Sequence, residues 1–222
     1  KPMIKRYSFL LLFITLLTSE ITFAQKKPAF WDDIQTFKRK DSVAMPAPNG
    51  ILFVGSSSFT KWKDLELVFK EYKAINRGFG GSTLKQADYY IDQLVYPYQP
   101  RQVVIYSGEN DIATDQVSAV ETLNRFATFF THIRNKYPEA AVLYISMKNS
   151  PSRTKYAETI NHANTLIKDY LTNYTNTNFV DVNKKMLHKG QLRPELFLQD
   201  MLHMKQAGYD IWIKEITPYL IK

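Results

Sequence analysis

Five short apolar runs punctuate this chain, at 51–54, 73–76, 102–106, 141–146 and 178–182. Each is strand-sized. Between them lie longer stretches, 59–69, 84–95, 117–136, 155–173 and 205–219, in which apolar residues recur at three and four positions. Leu123, Phe126, Phe130, Ile133 and Tyr137 give the clearest such stripe, the mark of a helix with one buried face. Pro97, Pro100, Pro138 and Pro151 fall between the elements, where a missing N–H is tolerated. Alternating strands and helices predict an α/β fold with a parallel sheet, and right-handed crossovers place helices on both faces. The expected architecture is therefore a three-layer α/β/α sandwich around a five-stranded parallel sheet. In such a sheet the strand C-termini gather on one edge, where ligands bind.

The first residues follow another rule. Lys5-Arg6 precede an apolar stretch over 9–17, and Thr22-Phe23-Ala24-Gln25 follow it. That layout predicts a secretory signal peptide over 1–24, cleaved after Ala24. A membrane span needs roughly 20 apolar residues, and Thr18, Ser19 and Glu20 interrupt this run too early; an uncleaved anchor is the alternative. The expected location is periplasmic or extracellular. The absence of cysteine excludes disulfides, thiolate metal sites and a lipid-modified cysteine. Residues 25–50 combine a short helical pattern near Trp31 to Phe37 with the turn-rich Met45-Pro46-Ala47-Pro48-Asn49-Gly50. They read as an N-terminal extension packed on a single domain spanning 51–222. The formal charge is +8, and loss of the leader would leave about +6, a mild bias. Lysine and arginine are dispersed, without the basic stripe that nucleic-acid binding requires.

The first three strand-like runs each deliver the chain into a motif of small polar residues. Gly55-Ser56-Ser57-Ser58 follows the first run, where a hydroxyl would face the cleft; serine is also a favoured helix cap, which is the competing reading. Phe59 occupies the second glycine position of the G-x-S-x-G elbow, so an ordinary α/β-hydrolase is disfavoured. Asn76-Arg77-Gly78-Phe79-Gly80-Gly81-Ser82-Thr83 follows the second run. Its glycines could bring bare N–H groups to a reacting atom, or merely make a tight turn. Tyr106-Ser107-Gly108-Glu109-Asn110-Asp111 follows the third; the Asn110 amide is a neutral donor suited to an oxyanion, while Asp111 is expected to cap a turn or hold the loop. Asp200-Met201-Leu202-His203 precedes the last helical pattern, a spacing that lets a turn lay the carboxylate against one ring nitrogen. His132, His162 and His188 carry no such partner in sequence and read as packed or solvated.

In this order, G-x-S, a glycine after strand two, G-x-N-D after strand three and D-x-x-H before the last helix resemble the SGNH hydrolases, the GDSL-type lipases and esterases, over nearly all of the chain from Ile51. The resemblance implies a flavodoxin-like fold. It also implies Ser57 as nucleophile, His203 as general base, Asp200 as its orienting partner, and an oxyanion hole from the Ser57 and Gly81 N–H groups with Asn110. Ser56 and Ser58 compete for the nucleophile, and Gly80 competes with Gly81. Ser56 departs from the name-giving Gly-Asp-Ser-Leu.

The activity so implied is that of a serine esterase working through an acyl-enzyme, with no cofactor and no metal. Its partner would be a small-molecule or polysaccharide ester, most of all acetyl groups on carbohydrates. A lysophospholipase or thioesterase, a noncatalytic carbohydrate-binding protein on the same scaffold, and a flavodoxin-like nucleotide binder are the alternatives. Phe59, Trp62 and Phe79 could line a sugar or acyl site, though packing is their commoner fate. Lys148-Asn149-Ser150-Pro151-Ser152-Arg153 reads as a polar surface turn, whose two cations could otherwise meet an anionic substrate.

Overall fold

The structure is a computed structural model and describes residues 27–222. The leader expected over 1–24 lies outside the described residues. Five parallel strands, β1 (Ile51–Gly55), β2 (Ala74–Gly78), β3 (Gln102–Tyr106), β4 (Ala141–Ile145) and β5 (Thr177–Val180), pair in the order β2-β1-β3-β4-β5. All five lie where the sequence places them, to within two residues. The last ends early because Asp181 turns to cap a helix, its side chain accepting from the Lys184 N–H.

Side chains of a strand alternate between faces, and here both faces are apolar. Leu52, Val54, Val103, Ile105, Val142 and Tyr144 enter one core, while Ile51, Phe53, Val104, Tyr106, Leu143 and Ile145 enter the other. Each such side chain withdrawn from water contributes about 1.5–3 kcal/mol. The helices are α1 (Trp31–Val43), α2 (Ser57–Lys61), α3 (Leu65–Val68), α4 (Leu84–Tyr89), α5 (Ile91–Leu94), α6 (Glu109–Ala113), α7 (Ala119–Lys136), α8 (Ala157–Leu171), α9 (Val182–Lys185) and α10 (Gln206–Ile216). The first core takes the apolar faces of α1, α4, α5, α7 and α8, and the second takes those of α2, α3, α9 and α10.

Two expected helices are interrupted by tertiary contacts. The pattern over 59–69 breaks at Trp62, whose backbone leaves the helical region so that its indole packs against Tyr209 and Trp212 at 4.8 and 6.1 Å between ring centroids. The pattern over 84–95 breaks at Tyr90; its hydroxyl donates to the Ala29 carbonyl at 2.7 Å. Conversely, α1 outruns its expected end to Val43. Asp41, on that extra turn, pairs with the buried Arg77 of β2 at 2.5 Å and accepts from Tyr98 at 2.5 Å. Among the described residues no helix is long and apolar enough to cross a membrane.

The connection from β1 to β2 runs through the second core and those from β2 onward through the first. The chain therefore changes faces between β1 and β3. That opens a crevice at their C-terminal ends, the usual ligand site of an open parallel sheet.

Candidate active site

Ser57 lies at this crevice, at the first position of α2. The preceding Gly55 has no room for a side chain, since a Cβ there would lie 2.0 Å from the Tyr106 carbonyl oxygen. Ser56 is the residue before the helix, yet its side chain makes no capping bond, so the capping reading fails for it. Ser56 and Ser58 are both buried, whereas Ser57 is partly open. Among the described residues neither its hydroxyl nor its backbone N–H bonds to a protein group.

The loop after β2 is held by local bonds. The Phe79 N–H donates to the Gly55 carbonyl at 2.9 Å, the Ser82 hydroxyl donates to the Phe79 carbonyl at 2.8 Å, and Thr83 forms a capping box with Gln86 at the start of α4. Gly81 has φ +85°, a conformation that favours glycine. Asp111 reaches across from α6: one oxygen accepts the Leu84 N–H at 2.9 Å and the other pairs with Arg125 at 2.9 Å. It holds the loop, as the sequence suggested, and its burial pushes the carboxyl up despite those bonds.

Asn110 is buried on α6. Its Nδ2 donates to the Ser82 carbonyl at 2.9 Å, and its Oδ1 accepts from Arg153 Nη2 at 2.8 Å. An amide nitrogen carries two hydrogens, so one remains. Arg153 Nη1 also meets Glu109 Oε1 at 3.0 Å, while Glu109 Oε2 accepts from Lys148 Nζ at 2.9 Å and from the Tyr106 hydroxyl at 2.5 Å. Burial raises the Glu109 carboxyl, but the two cations outweigh it and leave it below the usual range. This cluster corrects the reading of 148–153 as a surface turn: Lys148, Asn149 and Ser150 are buried, and the Lys148 ammonium is committed to Glu109 rather than to an anionic substrate. Glu109 itself was missed.

In the loop before α10, His203 Nδ1 and Asp200 Oδ2 lie 2.6 Å apart, and Asp200 Oδ1 accepts the N–H groups of Leu202 and His203 at 3.0 and 2.9 Å. Burial works against the Asp200 charge, but the bonds from His203 and Leu202 prevail and hold its carboxyl well below the ordinary range. Met201 takes a left-handed conformation, φ +56°, and its carbonyl accepts the N–H and hydroxyl of Ser152, both at 3.0 Å. The His203 loop is thus tied to the segment bearing Arg153, and Arg153 to Asn110. Tyr209 of α10 donates to the Ser58 carbonyl at 2.9 Å and so ties α10 to α2. The other histidines lie elsewhere: His132 pairs with Asp88 between α7 and α4, and His162 and His188 are exposed. Among the described residues no group of three or more His, Cys, Asp or Glu side chains could hold a metal ion.

The model of the GDSL-like lipase/acylhydrolase family matches residues 54–211. The chain belongs to that family. Its sheet and layers are those of the SGNH hydrolase fold, and it is a GDSL-type esterase. A Streptococcus pneumonia protein provisionally named a platelet activating factor is 25% identical, with a TM-score of 0.75 over 86% of this chain and 92% of that one. A GDSL-like lipase from Bacteroides thetaiotaomicron is 21% identical, TM-score 0.71, over 84% and 96%. An acetyl-xylooligosaccharide esterase from a Geobacillus species is 16% identical, TM-score 0.61, over 78% and 94%. No curated protein matches the chain. Where this GDSL relative carries Ser56 instead of aspartate, backbone and amide bonds hold the loop. The Ser56 N–H donates to the Tyr106 carbonyl at 3.1 Å, and Asn76 Nδ2 donates to the Phe59 carbonyl at 2.9 Å.

Proposed function

We propose that this esterase is a secreted serine enzyme that removes small acyl groups, above all acetyl groups, from carbohydrates. The observation that carries the catalytic part is the Asp200–His203 pair at 2.6 Å, beside a serine hydroxyl that no protein group among the described residues engages. With Asp200 on Nδ1, the ring turns Nε2 outward as a base. His203 takes the Ser57 proton while Oγ bonds to the ester carbonyl carbon. The charge on the carbonyl oxygen is met by the Ser57 and Gly81 N–H groups and the remaining Asn110 N–H. Collapse breaks the C–O bond, and His203 passes its proton to the departing alcohol. Water then repeats the attack with His203 as base, releasing acid and Ser57. No hydrogen bond joins Ser57 to His203 in the structure; such bonds commonly tighten only once substrate is bound.

The short-acyl reading rests on where the aromatics go. Phe59, Trp62 and Phe79 are buried in the two cores, so these rings are not offered to a long acyl chain. Packing is their role, and a sugar or acyl site is not built from them. The acetyl-xylooligosaccharide esterase sharing this fold is in keeping with a sugar ester. Export rests on the leader motif alone.

Hydrolysis of p-nitrophenyl acetate, p-nitrophenyl octanoate and acetylated xylan by the parent and by Ser57→Ala tests both parts. Acetate and xylan esters turned over by the parent alone, with phosphonate labelling of Ser57, is the expected outcome. Preference for octanoate would shift the reading to a lysophospholipase or thioesterase type, and absence of labelling would overturn the nucleophile.

A further inference from the structure

Resting on the reading of Asn110 as an oxyanion donor, we infer that Arg153 is a positioning residue that acts through the Asn110 amide, and that it does not bind substrate. Asparagine is nearly symmetric in shape, and a half-turn about its last bond would exchange oxygen for nitrogen. Two neighbours break that symmetry. The Ser82 carbonyl demands an N–H, and the Arg153 guanidinium demands an oxygen, at 2.9 and 2.8 Å. Together they leave one N–H of Asn110 uncommitted and fixed in direction, which is what preorganised stabilisation of a developing charge needs. The cation on Oδ1 also draws electron density from the amide and strengthens that N–H as a donor, as bonds in a chain polarise one another.

Arg153 is fixed in turn. Its second nitrogen meets Glu109 Oε1 at 3.0 Å, and Glu109 is locked from the other side by Lys148 and Tyr106. Each terminal nitrogen of the guanidinium therefore gives one N–H to a protein oxygen, and its planar fork matches two acceptors at once. A lysine could keep a cation beside Glu109 without reproducing the fork.

The test is kcat and KM for p-nitrophenyl acetate in Arg153→Gln and Arg153→Lys, each made in the parent and in Asn110→Ala, with the melting temperature of every variant. In the parent, Arg153→Gln is expected to lower kcat about tenfold or more with KM changed by less than about twofold, the pattern of a contact felt only in the transition state. Arg153→Lys is expected to melt near the parent yet show most of that loss in kcat. In Asn110→Ala either change is expected to cost less than about twofold, because coupled residues are non-additive. Equal cost in both backgrounds, or a loss confined to KM, would overturn the positioning role and make Arg153 a substrate contact. Asn110→Ala costing less than about fivefold by itself would instead overturn the oxyanion reading beneath it.

Discussion

Asn110 and Asp200 illustrate how much a single side chain depends on its neighbours. On the oxyanion role proposed for Asn110, Asn110→Ala is expected to lower kcat by about 10²–10³, with KM little changed; steady-state kinetics on p-nitrophenyl acetate check it. Asp200 carries two jobs, because one oxygen holds the His203 ring and the other holds the loop N–H groups. Asp200→Asn is isosteric but offers an N–H where an acceptor is needed, disfavouring the ring tautomer that leaves Nε2 as a base. A fall of roughly 10²–10⁴ in kcat is expected from comparable changes elsewhere, with circular dichroism unaltered. At this scale the sequence singled out Ser57, Gly81, Asn110, Asp200 and His203, because each stands in a short motif. It was uninformative for Glu109, Lys148 and Arg153. Their pairing joins residues about forty positions apart, and no local spacing records that.

At the level of elements, the close approach of β1 to β3 sets the position of α2 and so of Ser57. Gly55→Ala would drive a methyl carbon into the Tyr106 carbonyl oxygen, 2.0 Å away in the present backbone. The strands must part to admit it. A stability loss of about 1–3 kcal/mol or more is expected, read as a lower urea midpoint with an unchanged slope, together with reduced kcat because Ser57 moves with the strand. The expected strands match the observed ones closely, best of all at β1, β3 and β4, which are buried along their whole length. The helices match less well at Trp62 and Tyr90, where burial of an aromatic ring, or a bond to Ala29, outweighs continuation of a helix whose local preference is small.

Across the whole molecule, the Glu109–Lys148–Arg153 cluster joins the ends of β3 and β4 from inside, with Lys148 and Glu109 only 2% and 3% exposed. Glu109→Gln would leave the Lys148 ammonium buried without its carboxylate, and a loss of about 3–5 kcal/mol is expected. Adding Lys148→Met should recover part of it, measured by chemical denaturation of the single and double variants. Acid stability draws on Glu109 of this cluster and on two carboxylates outside it. Glu109 and Asp200 both have folded values below their ordinary ones, so their contribution is complete above the unfolded carboxylate range of about 4 and is lost as pH falls through the lower folded values. Asp111 is raised and runs the other way, giving back some stability as it protonates. The net expectation is a midpoint that declines below about pH 4, more shallowly in Asp200→Asn.

The sequence by itself determined the α/β class, the five strands and the order in which the polar motifs meet the sheet edge, because apolar period and loop composition are local properties. Only the tertiary structure decided which serine of three stays open, that 148–150 are buried, and that Arg153 faces Asn110. Those depend on which distant segments desolvate one another, and a buried charge finds its partner only when the chain has closed around both.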